Sequence, residues 1–262
     1  ENRGDLYATH GLGPVAQCMD IHRGDRFTTL VAMDTESFFG KDFVEKKTGK
    51  ECKDFRNGDH TTTLMRTAKG KVVEIQHNVM TPQPYNRLFK LTGTKGYATK
   101  YPTPEYALSG DALKGTDAPQ MDNLNAHGFM NAAQKQALEK KYYHPILTKY
   151  GEKGREMGHG GMDYIMDARL VYCLQNGLPL DMDVYDMAEW CSLAELGAIS
   201  MDNNCAAVTF PDFTRGYWNM QQGYKHAYAP AEEEAKTEAA ADAYTAAQKK
   251  VTADFNLWGL YD

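Results

Sequence analysis

A chain of 262 residues, 42% hydrophobic and 24% charged, carries enough apolar surface for a sizeable core, which excludes disorder as its dominant state. No stretch approaches the roughly 18 apolar residues that a bilayer crossing requires, so no membrane span is expected. A net charge of −6, with no Lys/Arg cluster interrupting it, offers no electrostatic footprint for nucleic acid.

The first 100 residues alternate short strand-like runs with turns. Phe27–Met33, His60–Thr67, Lys71–Met80 and Arg87–Thr92 are rich in Thr, Val and Ile, and the last two alternate apolar with polar residues. The link Ala68-Lys-Gly70 is of hairpin length and holds a glycine, so the second and third runs are expected as antiparallel neighbours. From about residue 130 the pattern turns helical: Asn131–Lys141, Asp163–Asn176 ended by Gly177 and Pro179, and Val184–Ser200 with Asp183 as N-cap. Thr209–Tyr228 has no period and reads as an extended surface segment. Pro230 opens an Ala-rich stretch to about Phe255, with acidic residues first and lysines last, which reads as a helix. The expected fold class is mixed α/β (α+β): a large, predominantly antiparallel sheet over residues 26–100 with the helices of 130–200 packed on one face. The expected division is a substrate-binding and oligomerisation domain over 1–228 and a helical extension over 229–262.

Few motifs carry chemistry. Gly11-Leu-Gly-Pro-Val-Ala16 matches G-x-G-x-x-A with Asp34 about twenty residues on, as a dinucleotide site asks. The fingerprint also needs a buried strand before its first glycine, and Glu1–His10 is polar and short. The plainer reading is a glycine turn with Pro14 opening a helix through Asp20. Tyr7 and His10 sit three residues apart at that junction, either as site residues or as packing and capping groups. His159, bracketed by Gly158, Gly160 and Gly161, leads straight into a helix; this is either a mobile acid/base loop or a flexible helix entry. Pro82-Gln-Pro-Tyr85 would present Tyr85 at the sheet's edge, or merely on the surface. The histidines show no metal-ligand spacing, so no metal is expected, and Met157, Met162 and Met166 read as core filler. Five cysteines without a C-x-x-C pair (Cys18, Cys52, Cys173, Cys191 and Cys205) read as buried thiols. The opening residues show no export-signal pattern.

Six segments, taken together, resemble glycoside hydrolase family 109. They are Leu6–Val15, His22-Arg-Gly-Asp25, Gln83-Pro-Tyr85, Gly158–Tyr164, Leu180–Asp186 and Phe210–Gly216, in the family's order from about residue 5 to 218. Ala8 stands where the family pattern leads one to expect Pro, and the tail beyond about 228 has no counterpart. The resemblance implies an NAD-dependent α-N-acetylgalactosaminidase on the Gfo/Idh/MocA fold, with this chain as its C-terminal half and the NAD-binding Rossmann half absent. It implies chemistry by transient C3 oxidation, elimination of the C1 group and addition of water.

By the same resemblance, Tyr7, His10 and Tyr85 would line the sugar pocket, His159 and His10 would be catalytic, and His159 would give or take a proton on a mobile loop. No cofactor-binding residue is expected within this chain, which on its own would be inactive. The partners implied are an N-acetylgalactosamine-containing glycan and further copies of the chain, joined through the sheet. Export to the periplasm is implied, with the cytoplasm as the alternative. Two other readings stay open: a sugar dehydrogenase of the same fold, which would release NADH at each turnover, and a non-enzymatic sugar-binding module, which would bind without turnover.

Overall fold

The computed structural model describes residues 2–154 and 157–230. These fall into two compact units, one of residues 1–87 and 182–225, the other of 88–181 and from 226 on.

The first unit is a sheet under two helices. Helix α1 (Ala8–Cys18) precedes strand β1 (Phe27–Asp34), helix α2 (Gly40–Thr48) and strands β2 (Thr61–Thr67) and β3 (Val72–His77). The long helix α6 (Val184–Asp202) and the short strand β7 (Val208–Thr209) return to it from later in the chain. The sheet order is β3-β2-β1-β7, antiparallel throughout, and the Gly70 turn joins β2 to β3 with φ +82°.

Alternation in β2 puts Thr61, Thr63, Met65 and Thr67 inside and leaves Leu64 and Arg66 outside. The inner face, with Leu30, Ala32 and Ile75, is covered by α1 and α6 to form the core with Leu12, Phe27 and Leu193. β7 pairs only with Thr29 and Leu30. Farther along that edge, Ser200 Oγ accepts the Ala32 N–H at 3.0 Å, so the strand's polar groups are met by a helix side chain where the ladder runs out.

Helix α2 was not expected from the sequence. Its opening amides, the N–H groups of Phe38, Phe39 and Gly40, all donate to Asp59, at 2.7–2.8 Å. The cap thus comes from nearly twenty residues downstream.

The second unit holds a separate antiparallel sheet, β4 (Lys90–Thr92), β5 (Gly96–Thr99) and β6 (Glu105–Leu108), and helices α3 (Ala132–Tyr142), α4 (Pro145–Gly154) and α5 (Met162–Gln175). Helix α3 starts at a capping box between Asn131 and Gln134. Arg169 of α5 is buried, pairs with Asp181 at 2.7 Å and donates to the Ala227 carbonyl at 2.8 Å. Its guanidinium lies 5.2 and 4.9 Å from the centroids of the Tyr172 and Tyr228 rings, and the Ala229 N–H donates to the Tyr172 hydroxyl at 2.7 Å, which fastens residues 227–229 to α5.

The mixed class with antiparallel sheets is as expected, but the strands of 26–100 do not make one large sheet: Arg87–Thr92 contributes β4 to the second unit. Of the helices between 130 and 200, α6 is the one that covers the first sheet, joined there by α1. The stretch from Pro230 to Phe255 lies outside the described residues. Only Cys173 is buried; Cys18 and Cys191 are exposed and Cys52 and Cys205 half-buried, all five as free thiols. Met157, Met162 and Met166 are also exposed rather than core filler. Among the described residues no helix is long and apolar enough to cross a membrane.

Candidate functional site

The glycine-rich run that resembles a dinucleotide loop is helix. Gly11, Gly13 and Pro14 all lie inside α1, so neither the cofactor loop nor a glycine turn forms there. The helix opens at Ala8, and packing explains why it tolerates these residues. A Cβ on Gly13 would come 3.2 Å from the Trp190 ring, and one on Gly11 would come 3.4 Å from Ile75. Small residues here let α1 approach α6 and β3 closely, and burial of Ala8, Leu12 and Ala16 outweighs the roughly 1 kcal/mol each glycine costs a helix. Helical backbone packed in this way cannot cradle a pyrophosphate, so the residues of this run do not fit NAD.

Tyr7 and His10 are brought together at the start of α1. Their rings stack with centroids 4.3 Å apart and planes 19° from parallel, and the Tyr7 hydroxyl is 3.3 Å from His10 Nε2. Tyr7 is 58% exposed. Below them, the buried Asp5 accepts the Tyr7 backbone N–H at 3.1 Å, which fixes the chain's entry into the helix. Burial pushes the Asp5 carboxyl up, against the pull of His77. Tyr85 lies in the irregular chain after β3, half exposed, with the Arg87 guanidinium 5.6 Å from its ring centre.

His159 belongs to the second unit. It stands in a single 3-10 turn, His159–Gly161, and its own φ is +53°, an uncommon conformation for a residue with a Cβ. Its Nδ1 is 2.9 Å from Asp163 Oδ2 and 3.1 Å from Oδ1.

Sequence reasoning missed an ionic network in the first unit. Arg23 donates two bonds to Asp186, Nη1 to Oδ1 at 2.8 Å and Nη2 to Oδ2 at 2.7 Å. His22 Nε2 lies 2.8 Å from Glu189 Oε2 and its Nδ1 3.8 Å from Asp186 Oδ1. All four are buried. Burial alone would lower the His22 pKa, but the two carboxylates outweigh it and raise the group to about 9. Burial likewise works against the Asp186 carboxylate, yet Arg23 and His22 hold it well below the usual range. Asp183 and Asp186 also close a capping box at the head of α6.

The signal was present in the sequence, since two of the resembling segments, His22–Asp25 and Leu180–Asp186, meet here. Ligand atoms of His22, Asp183 and Asp186 come within 4.8 Å of one another, but the Arg23 guanidinium already occupies the cation's place on Asp186. The cluster is therefore an ion lock between the loop after α1 and the head of α6.

Comparison with known proteins gives this geometry its setting. Residues 1–220 match the family model described as glycosyl hydrolase 109, C-terminal domain. The chain is 84% identical over all its 262 residues to glycosyl hydrolase family 109 protein 3 of Phocaeicola vulgatus, covering 48% of that protein. It is 56% identical over 230 residues, 87% of this chain and 49% of the relative, to a glycosyl hydrolase family 109 protein of Porphyromonas gingivalis. It thus spans about half the length of these curated relatives. Among solved structures it is similar to an oxidoreductase domain protein from Kribbella flavida, at 13% identity and TM-score 0.48 over 72% of this chain and 47% of that one. A NAD-binding protein from Listeria innocua matches at 12% identity and TM-score 0.39, over 76% and 45%. The family match across residues 1–220 and the high identities to its curated members place this chain in glycosyl hydrolase family 109, as that family's C-terminal domain.

Proposed function

We propose that this chain is the substrate-binding half of an NAD-dependent glycosidase that removes terminal α-N-acetylgalactosamine, or a related hexosaminide, by transient C3 oxidation, elimination and addition of water. The observation that carries this reading is the Tyr7–His10 pair, a phenol and an imidazole stacked and presented together at the head of α1 in a chain of this family. A neutral sugar is oriented by such groups, its hydroxyls meeting O–H and N–H while an aromatic face covers its apolar side. Tyr85 adds a second aromatic edge, and His10 takes part in proton transfer.

His159 gives and takes a proton at the leaving-group oxygen, a task that imidazole chemistry suits near neutral pH. The nicotinamide belongs to the half of the protein outside this chain, and the residues described here bind, orient and move protons.

The outer face of the four-stranded sheet supports self-association. Met33, Leu64 and Val72 are exposed on it, 60%, 46% and 60% accessible, and lie on one side by register. Leu64→Lys should shift the sedimentation mass toward monomer. Export to the periplasm completes the reading, and cell fractionation tests it.

The deciding experiment uses the full-length protein with His159→Ala, on glycosides with a poor and a good leaving group. Loss of general acid predicts about a 10²–10⁴-fold fall with the poor leaving group and little with the good one, since a stable anion departs without a proton. Equal losses would leave His159 as a substrate-positioning residue. Net NADH appearance with free sugar would make the protein a dehydrogenase, and sugar binding without turnover would make it a binding module.

A further inference from the structure

The turn that carries His159 is built around Asp163. A carboxylate only accepts hydrogen bonds, so the imidazole nitrogen 2.9 Å from it, Nδ1, is the one that holds a hydrogen in the pair. Nε2 is then the nitrogen left to exchange a proton with a substrate. Asp163 itself is held in the first turn of α5, where the helix N-terminus favours negative charge.

The flanking glycines fit the same purpose. At Gly158, with φ −43° and ψ 146°, any residue is conformationally acceptable, yet a Cβ would overlap Asp163 Oδ2. Its smallness makes room for the carboxylate beside the imidazole. Gly161, at φ +98°, has the Gly154 backbone so near that a Cβ would come 2.8 Å from it. The turn is closed by the Gly161 N–H, which lies 3.2 Å from both the Met157 and Gly158 carbonyls.

We propose that Asp163 is the positioning residue of His159: it fixes the Nδ1–H tautomer and aims Nε2 outward, and Gly158 is glycine so that this pairing can form. This rests on the reading of His159 as the acid/base, and it adds the residue that decides which nitrogen acts. The arrangement parallels the way a buried aspartate orients the base of a hydrolytic triad, here at an exposed turn.

The test is the tautomer of His159 in the 262-residue chain, labelled with ¹⁵N-histidine, followed by long-range ¹H–¹⁵N correlation and assigned with His159→Gln. The pH is about 8.5, where an ordinary imidazole is neutral. The wild type should show a hydrogen on Nδ1 and an unprotonated Nε2. Asp163→Ala should return the ring to the Nε2–H form that free imidazole side chains prefer, and Asp163→Glu should keep part of the Nδ1–H form. Gly158→Ala separates this effect from folding: its backbone angles suit alanine, and the only atom in its way is the end of a side chain. It should therefore keep the circular dichroism spectrum and lose the Nδ1–H tautomer.

In the full-length protein, Asp163→Ala should lower kcat about 10²-fold on a poor leaving group with KM little changed. An Nε2–H ring in the wild type, or the same tautomer in wild type and Asp163→Ala, would overturn the inference. If the tautomer follows Asp163 while His159→Ala turns over normally, the pairing stands and the acid/base role of His159 is what fails.

Discussion

Asp186→Ala is the sharpest test of what holds the first unit together. The substitution removes both bonds that Arg23 makes to the carboxylate and leaves the guanidinium facing Asp183 Oδ2 at 3.7 Å and the Ile21 carbonyl at 3.3 Å. The Arg23 side chain is only 11% exposed, so water does not replace what is lost. Removing one partner of a buried pair costs about 3–5 kcal/mol, because the guanidinium stays buried with only the longer contact to Asp183 in place of its two short bonds. Asp186 also accepts the Asp183 N–H at 3.0 Å, a capping bond whose loss adds about 0.5–1 kcal/mol. Against a native stability of about 5–15 kcal/mol, that is roughly a quarter of the whole or more.

Urea unfolding followed by tryptophan fluorescence reads it, since Trp190 and Trp218 both lie in this unit. With an m-value of about 2 kcal/mol/M the midpoint should fall by about 2–3 M. The double variant Arg23→Met with Asp186→Leu leaves neither charge stranded and should recover all but about 1 kcal/mol, the part belonging to the cap. A single variant within about 1 kcal/mol of wild type, or a double variant no better than the single, would refute the reasoning.

His22 titrates in the same network, facing Asp186, Glu189 and Arg23. Its folded pKa of about 9 lies above the unfolded value of about 6.5, so the stability it contributes is complete below pH 6.5 and is lost as pH rises through 9. The gap in unfolding free energy between wild type and His22→Gln should narrow on the order of 2–4 kcal/mol between pH 6 and 10, and a constant gap would mean that His22 is neutral when folded. Gly13→Leu should destabilise the unit by about 1–3 kcal/mol in the same urea assay, since even a Cβ meets Trp190 at 3.2 Å; wild-type stability would show that α1 can shift freely. Calorimetric titration of this chain alone with NAD⁺ should give no heat of specific binding, whereas micromolar affinity would revive Gly11–Ala16 as a phosphate loop.

The elements legible in the sequence are those whose signals are local. Asp183 before an apolar run announced α6, Asn131 with Gln134 lay at the head of α3, and Gly70 closed a hairpin between alternating strands. Helix α2 escaped because its cap, Asp59, is supplied from beyond the helix. Helix α4 opens at Pro145, a start signal that was readable but unread. The division of the strands between two sheets depends on which runs pair across distance, and Arg87–Thr92 alternates equally well in either place. The contact between Tyr7 and His10 was legible because they are neighbours in sequence. The pairing of Arg23 with Asp186 spans 163 residues and has no local signature.

Glycine is where the sequence was most ambiguous, and the structure shows why. A residue without a Cβ has three separate uses: reaching positive φ, letting two backbones approach, and making room for another side chain. Composition cannot tell them apart. In Gly11–Ala16 the spacing imitates a phosphate loop, but the two glycines answer to Ile75 and Trp190, residues that reach α1 only through the fold. In Gly158–Gly161 the clustering reads as a mobile loop, and within it Gly158 makes room for Asp163 while Gly161 combines positive φ with the approach of Gly154. Each use leaves a different trace under substitution. At Gly13 added bulk should lower stability, at Gly161 any Cβ should cost both backbone strain and contact, and at Gly158 the fold should survive while the histidine's tautomer changes. The chemical meaning of such a cluster is therefore set by the atom that would meet the missing Cβ, and at Gly158 that atom is an oxygen of the carboxylate paired with His159.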